Sequence, residues 1–371
     1  MKRFVYADNA ATTRLSPKAY EAMMPYLLNE YGNASQPYSF ARTSKKALRQ
    51  SREIIARCIG ALPEEIYFTS CGTESDNWVI YGAAKRNMPI VTSSIEHHAI
   101  LRPCEDVQRA NGYVQFLPVS EEGLVSVEDA KRNMQDSCGL LSVMFANNEI
   151  GTIQPIKDLA IAAHEKEWLF HTDAVQAVGH VPIDVHELGV DMLSASAHKF
   201  NGPKGIGFLY IKKGIELPSL IKGGMQEFGY RAGTENVAFV VGMSVALEEN
   251  VKIMGETNLH LQQMETFLLD GLKSQRLVFK RNGAQSHIYG NLSLSFIGQS
   301  GEALLHRLDL NGICVSTGSA CDSKDTQISH VLKAICLDES LAKGTIRISL
   351  GRYNSVDDVS YIIESLKKIL K

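Results

Sequence analysis

What the chain lacks narrows its class before any motif is read. Its 371 residues hold no run of about 18 apolar residues, the length a membrane-spanning helix needs. A formal net charge of −3 leaves no basic excess to hold nucleic acid or an anionic lipid surface. The opening Met1-Lys-Arg-Phe-Val-Tyr-Ala-Asp8 is basic, but its apolar stretch is too short for a secretory signal, so a cytoplasmic protein is expected. The seven cysteines are scattered, odd in number and never spaced Cys-x-x-Cys, which argues against a disulfide framework and a zinc ribbon. Internal repeats and low-complexity tracts are also absent.

What is there reads as an ordinary globular chain, 44% hydrophobic and 21% charged, long enough for a large domain and a smaller one. Short apolar segments at 66–69, 90–93, 114–119, 140–146, 168–172 and 192–196 alternate with helical ones. That rhythm predicts a doubly wound, mainly parallel sheet covered on both faces, with ligands at the strand C-terminal ends. A helical tract over 236–274 follows, and the pattern then changes. Residues 291–297 and 345–350 alternate with period two, the second placing Ile346, Ile348 and Leu350 on one face and Arg347 on the other. The expected division is a large α/β domain over 15–250 and a small α+β domain over 251–371, completed by residues 1–14.

The polar residues at the strand ends carry the chemistry. Thr69-Ser-Cys-Gly-Thr-Glu-Ser75 joins a strand to a helix start, where backbone amides, Gly72 and Thr73 make an anion cradle and also a well-capped helix. No Gly-Lys-Ser/Thr follows, so it is not a Walker loop. Glu96-His97-His98 ends the next strand; adjacent histidines point to different faces and no third ligand lies at metal spacing, so no metal is expected. His97 suits stacking on or protonating a ligand, and equally a structural hydrogen bond. Asn147 and Asn148 suit a ring substituent or a turn. Asp173 suits a heterocyclic nitrogen or a helix cap. The stretch 194–211 presents Lys199 at a turn broken by Gly202, Pro203, Gly205 and Gly207. A confined lysine there can serve as a Schiff-base nucleophile, although on that stretch alone a surface lysine in a glycine-rich hairpin is the simpler reading.

Together an anion cradle, a histidine, an asparagine, an aspartate and a lysine at the ends of one sheet match a pyridoxal phosphate pocket. Residues 223–236 add glycines, Arg231 and Thr234 as a second phosphate contact. Cys314 lies in an apolar piece and is expected to be buried. Cys321 lies among Ser, Thr, Gly, Asp and Lys, the composition of an exposed loop, where a thiolate can react.

The chain resembles the cysteine desulfurases of the NifS/IscS type, in the class V aminotransferase superfamily. The resemblance spans Ala7-Asp-Asn-Ala-Ala-Thr-Thr13, Phe68-Thr-Ser-Cys-Gly-Thr-Glu-Ser-Asp-Asn77, Glu96-His-His-Ala99, Asn147-Asn-Glu-Ile-Gly151 and Asp173-Ala-Val-Gln176. It continues through Ser196-Ala-His-Lys199, Arg231-Ala-Gly-Thr-Glu-Asn236, Ser316-Thr-Gly-Ser-Ala-Cys321 and Arg347-Ile-Ser-Leu-Gly-Arg352. The longer stretch around Cys321 is similar to the first group of the family.

The resemblance implies the pyridoxal-phosphate transferase fold (fold type I) and a homodimer. Lys199 would carry pyridoxal phosphate as a Schiff base. Gly72, Thr73, Ser196, His198 and Thr234, the last from the partner subunit, would hold the phosphate. His97 would stack on the ring and act as acid/base, Asp173 would pair with the pyridinium nitrogen, and Gln176 and Asn148 would contact the ring oxygen or the substrate. Arg347 would bind the carboxylate of L-cysteine. Cys321 would take the sulfur as a persulfide, releasing L-alanine, and pass it to an acceptor protein such as an iron–sulfur scaffold or a thiolation relay. No metal is implied, although Cys321 can transiently ligate an iron–sulfur cluster. The chain departs from the pattern at Gln36-Pro-Tyr38, where the family often has Ser-x-His, at Cys71 in place of Gly or Ala, and at Asp322 in place of Thr or Ser. The rival readings are a selenocysteine lyase or aminotransferase of the same class, and a non-catalytic sulfur-relay protein that keeps the fold.

Overall fold

The alternating segments assemble as the pattern predicts. The computed structural model describes residues 3–134, 138–317 and 328–370. Twelve strands are described: β1 (Val5–Tyr6), β2 (Ile66–Thr69), β3 (Ile90–Ser93), β4 (Val114–Leu117), β5 (Leu140–Ser142), β6 (Leu169–Asp173), β7 (Met192–Ser196), β8 (Gly207–Ile211), β9 (Lys280–Asn282), β10 (Asn291–Ser295), β11 (Ile313–Cys314) and β12 (Thr345–Ser349). Seven of them form one sheet in the order β2-β8-β7-β6-β5-β3-β4. Within it the neighbours are parallel except where β8 runs antiparallel to β2 and β7. That reversal has a local cause. β7 and β8 pair from Met192↔Ile211 to Ser196↔Gly207, so the ten-residue connection that carries Lys199 closes a hairpin.

Successive residues of these strands enter different cores, as a sheet covered on both faces requires. Leu141, Leu193 and Tyr210 join one cluster, while Leu140, Met192 and Leu209 join the other. β5 stops at Ser142, short of the expected 140–146. Beyond it Val143 and Phe145 still donate to the carbonyls of His171 and Asp173, while the Met144 amide donates to the Glu96 carboxylate and not to a strand.

A three-stranded antiparallel sheet, β12-β10-β9, forms the second unit. Leu292, Leu294, Ile346, Ile348 and Leu350 pack there against Leu304, Ile362 and Leu366, which leaves Arg347 on the opposite face as its alternation predicts. Val5 and Ala7 belong to this core, and β1 pairs in parallel with β11. Cys314, expected to be buried, is half-buried, because its neighbour Ile313 takes the core-facing position of this two-residue strand. A 38-residue helix, Val237–Ser274, serves both units. Its Val240, Met243 and Leu247 pack in the first core, and its Leu261, Met264 and Leu268 in the second. The expected division at 250/251 therefore falls inside one helix. Among the described residues no helix is long and apolar enough to cross a membrane.

Gly207 shows how tightly the hairpin is closed. A Cβ at this position would stand 2.4 Å from the Ala195 carbonyl oxygen and 3.0 Å from the Cys71 carbonyl carbon, both backbone atoms that cannot swing away. Gly207→Ala is therefore expected to cost about 1–3 kcal/mol of stability through overpacking, read as a lower urea midpoint.

Candidate active site

The ends of β7, β6, β3 and β2 supply the candidate site from the large sheet. β7 runs through Ser194, Ala195 and Ser196 into a short 3₁₀ turn, Ala197–Lys199. Lys199 Nζ donates to the carbonyls of Ala10 at 2.6 Å and Ala11 at 2.9 Å, so the Asp8–Thr13 stretch lies directly against the amine. The turn is held from behind: His180 Nε2 donates to the Lys199 carbonyl at 2.9 Å, and Thr13 Oγ1 donates to the His198 carbonyl at 2.8 Å. Gln176 Nε2 also donates to the Ala10 carbonyl, at 2.9 Å.

Asp173 ends β6 in register with Ser194 and accepts from the Val175 amide at 2.9 Å. Burial raises its carboxyl to about 6, against the opposing pull of that amide and of the Lys199 cation. His97 caps the His98–Arg109 helix, its Nδ1 accepting from the Ala99 amide at 3.1 Å, which leaves the ring proton on Nε2. Burial first, and then the Lys199 charge, His98 and His330, press its pKa down to about 4, so the ring is neutral at pH 7. Lys199 thus acts electrostatically on residues from two other strand ends.

The expected anion cradle coincides with a helix start. The Gly72–Lys85 helix starts directly after Cys71. A Cβ on Gly72 would meet Val175 Cγ2 at 2.5 Å and lie 3.6 Å from Ser196 Cβ, so only glycine lets the amide end approach β7 this closely. Ser196 Oγ is enclosed and has no hydrogen-bond partner among the described residues. His198 is half-buried with Nδ1 3.2 Å from Thr12 Oγ1, and burial lowers its pKa to about 4. Thr73 and Thr234 face solvent.

Arg347 enters from β12. Its Nη2 meets Asp8 Oδ1 at 2.7 Å, its Nη1 donates to the Asn148 carbonyl at 3.0 Å, and its buried Nε has no partner among the described residues. Asn147 makes a turn, accepting from the amides of Glu149 and Ile150, so of the two asparagines Asn148 is the one set beside Arg347. Cys321 and Asp322 lie outside the described residues.

A layer of buried titratable groups beneath the pocket was not legible in the sequence. His171 is clamped between Ser142 Oγ at 2.9 Å and Ser194 Oγ at 3.0 Å, and burial drives its pKa down to about 3. Asp76 is fully buried 3.9 Å from His171 Nε2; burial and then Asp173 push its pKa well up. Glu96 accepts from Ser93 Oγ at 2.5 Å and the Met144 amide at 2.9 Å, and burial raises it to about 8 despite both bonds. The motifs around Asp76 and Glu96 were the available signal, but a carboxylate next to a helix start reads as a cap.

The sheet topology and the lysine-centred pocket define a fold type I transferase. The family profile described as Aminotransferase class-V matches residues 5–362. The chain is 47% identical over 378 residues to the cysteine desulfurase IscS of Clostridium botulinum, covering 100% of this chain and 95% of that one. A solved NifS-like protein superposes with a TM-score of 0.93 at 37% identity, over 99% of both chains. A structure of SspA in complex with cysteine superposes with a TM-score of 0.84 at 35% identity, over 95% of this chain and 100% of that one. The chain belongs to the class-V aminotransferase family, among its cysteine desulfurases.

That family depends on pyridoxal phosphate, and the residues present fit it. Ser196 Oγ is an enclosed donor beside the Gly72 cradle with no acceptor among the described residues, and Asp173 is a buried carboxyl next to a lysine.

The Glu96 shift has a measurable sign. A carboxyl raised in the fold contributes stability that is fully present below its unfolded value near 4.5 and is lost as pH rises through about 8. Glu96→Gln keeps the acceptor oxygen and cannot ionise. Between about pH 5 and pH 9 its stability relative to wild type is expected to improve by at least about 1 kcal/mol, read from urea midpoints.

Proposed function

We propose that this chain takes sulfur from L-cysteine, leaving L-alanine, with pyridoxal phosphate bound covalently at Lys199. The observation that carries the reading is the meeting of Lys199, buried Asp173 and neutral His97 at strand ends of the large sheet, with Arg347 entering from the second unit. The names of the relatives and the cysteine bound in the SspA structure support the same substrate.

When bound, the cofactor supplies an electron sink that acidifies the α-carbon of an attached amino acid. Gly72, Thr73, Ser196, His198 and Thr234 of the partner subunit hold its phosphate. Asp173 pairs with its ring nitrogen, His97 stacks on the ring, and Gln176 and Asn148 take the ring oxygen or the substrate. Arg347 binds the substrate carboxylate through its planar fork. Lys199 Nζ takes the α-proton, and the Nε2 proton of His97 is the second proton available to the substrate. Cys321, as thiolate, attacks the substrate sulfur. The new S–S bond replaces the Cβ–S bond, and the electron pair left on the β-carbon picks up a proton to give the methyl group of alanine. Cys321 is thereby oxidised to a persulfide and the carbon is reduced. The sulfur then passes to an acceptor protein, an iron–sulfur scaffold or a thiolation relay, in the cytoplasm.

A homodimer is part of this reading. Tyr31 and Phe40 stack edge-to-face at 5.1 Å on the surface, and Ser35 Oγ donates at 3.4 Å to Glu235, next to Thr234. Met225 and Phe228 stand 81% and 60% exposed in the segment leading to Thr234. Large exposed apolar groups flanking a ligand-binding threonine suit a second copy of the chain.

Cys321→Ser is expected to keep the visible absorbance of the bound cofactor and to lose sulfide formation from cysteine by at least about a hundredfold. Lys199→Ala is expected to lose the covalent chromophore. Sulfide release at the normal rate from Cys321→Ser would remove Cys321 from the reaction. Arg347→Lys keeps the charge but not the fork, and is expected to raise KM for cysteine about tenfold while changing kcat less.

A further inference from the structure

Glu227, Phe228 and Gly229 follow one another at φ +46°, +58° and +84°. Only the glycine is at ease there. Consecutive left-handed residues with full side chains persist where the surroundings over-determine them. Here the surroundings are a buried fork. Arg52 Nη1 and Nη2 donate to the two carboxylate oxygens of Glu227 at 2.9 and 2.7 Å, and the Phe68 amide donates to the same carboxylate at 2.9 Å. Arg52 also donates to the Ile66 carbonyl and lies over the rings of Phe68 and Phe228, at 4.3 and 5.1 Å. Both charged side chains are buried, at 11% and 4% exposure. Apolar residues of similar volume hold a core as well as such a pair does, so its use lies in setting one geometry.

A second fork lies four residues on. Arg231 Nε and Nη2 donate to Glu74 at 2.8 and 3.1 Å, and Glu74 also accepts from the Ser70 amide at 2.7 Å. Glu74 is in the first turn of the Gly72–Lys85 helix, beside Thr73. The segment is therefore bolted at one point to β2 and at another to the anion cradle of its own chain. Phe228 is exposed between the bolts, and Thr234 is exposed just beyond the second.

We propose that Arg52 and Glu227 are positioning residues, whose fork holds the strained turn and so aims residues 231–234 at the cofactor phosphate of the partner subunit. This rests on the homodimer and on the contribution of Thr234 across it. The defect from breaking the fork must then appear in the other subunit's pocket, which a purely local structural role cannot produce.

Differently tagged chains, co-expressed and purified as mixed holo dimers, separate the two. Lys199→Ala confines the covalent chromophore to one known subunit. With Glu227→Gln in the Lys199→Ala chain and a wild-type partner, chromophore loss to a trap for free pyridoxal phosphate is expected to speed up about tenfold. With Glu227→Gln in the chromophore-bearing chain and Lys199→Ala alone in its partner, the wild-type rate is expected. The reverse pattern, or equal rates in both dimers, overturns the proposal. Sedimentation velocity on wild type is run first. A monomer that keeps its cofactor would remove the dimer reading itself, whereas a dimer with unchanged loss rates would remove only the fork. Arg52→Lys, which keeps the charge and loses the fork, takes the place of Glu227→Gln if that variant does not fold.

Discussion

The contact between Lys199 Nζ and the carbonyls of Ala10 and Ala11 joins the two halves of the protein at the hairpin lysine. The segment that provides those carbonyls begins in the second unit, where Val5 and Ala7 are core residues, and Asp8 reaches Arg347. It then crosses to the hairpin turn, where the Thr13 amide donates to the His198 carbonyl. The lysine, the arginine and the two cores are therefore set relative to one another by a few residues near the chain start. Displacing that segment would separate the Arg347 guanidinium from the Lys199 amine without touching either side chain.

Burial, more than charge pairing, sets the electrostatics around this contact. It is the leading cause for His97, His198 and His171 on the low side, and for Asp76, Asp173 and Glu96 on the high side. Bases and acids are both pushed toward neutrality. Against that background Asp173 is the acid of the three whose raised value stays closest to the ordinary range for a carboxyl. It is also the one that feels the lysine cation.

Much of the fold could be read from local pattern, because each strand is short and its two faces alternate. The placement of Arg347 opposite Ile346 and Ile348 follows from period two alone. The early end of β5 does not, because it depends on which neighbours continue alongside. Residues of the site were legible where they stand at strand ends, as Asp173, His97 and Lys199 do. The partners that orient them were not. Asp8 and Arg347 are 339 positions apart, and Arg52 and Glu227 are 175 apart; neither pair leaves a periodic trace. Cys321 was identified by composition and resemblance alone.

The Val237–Ser274 helix begins in one core and ends in the other without a break. At 1.5 Å per residue its 38 residues form a beam about 57 Å long. A beam transmits torque where a loop would absorb it, so any rocking of one unit against the other has to flex this helix. It also ties the fates of the two cores. Melting either end exposes the apolar side of a helix whose other end is still packed, and this mechanical continuity favours a single cooperative unfolding unit over two independent ones.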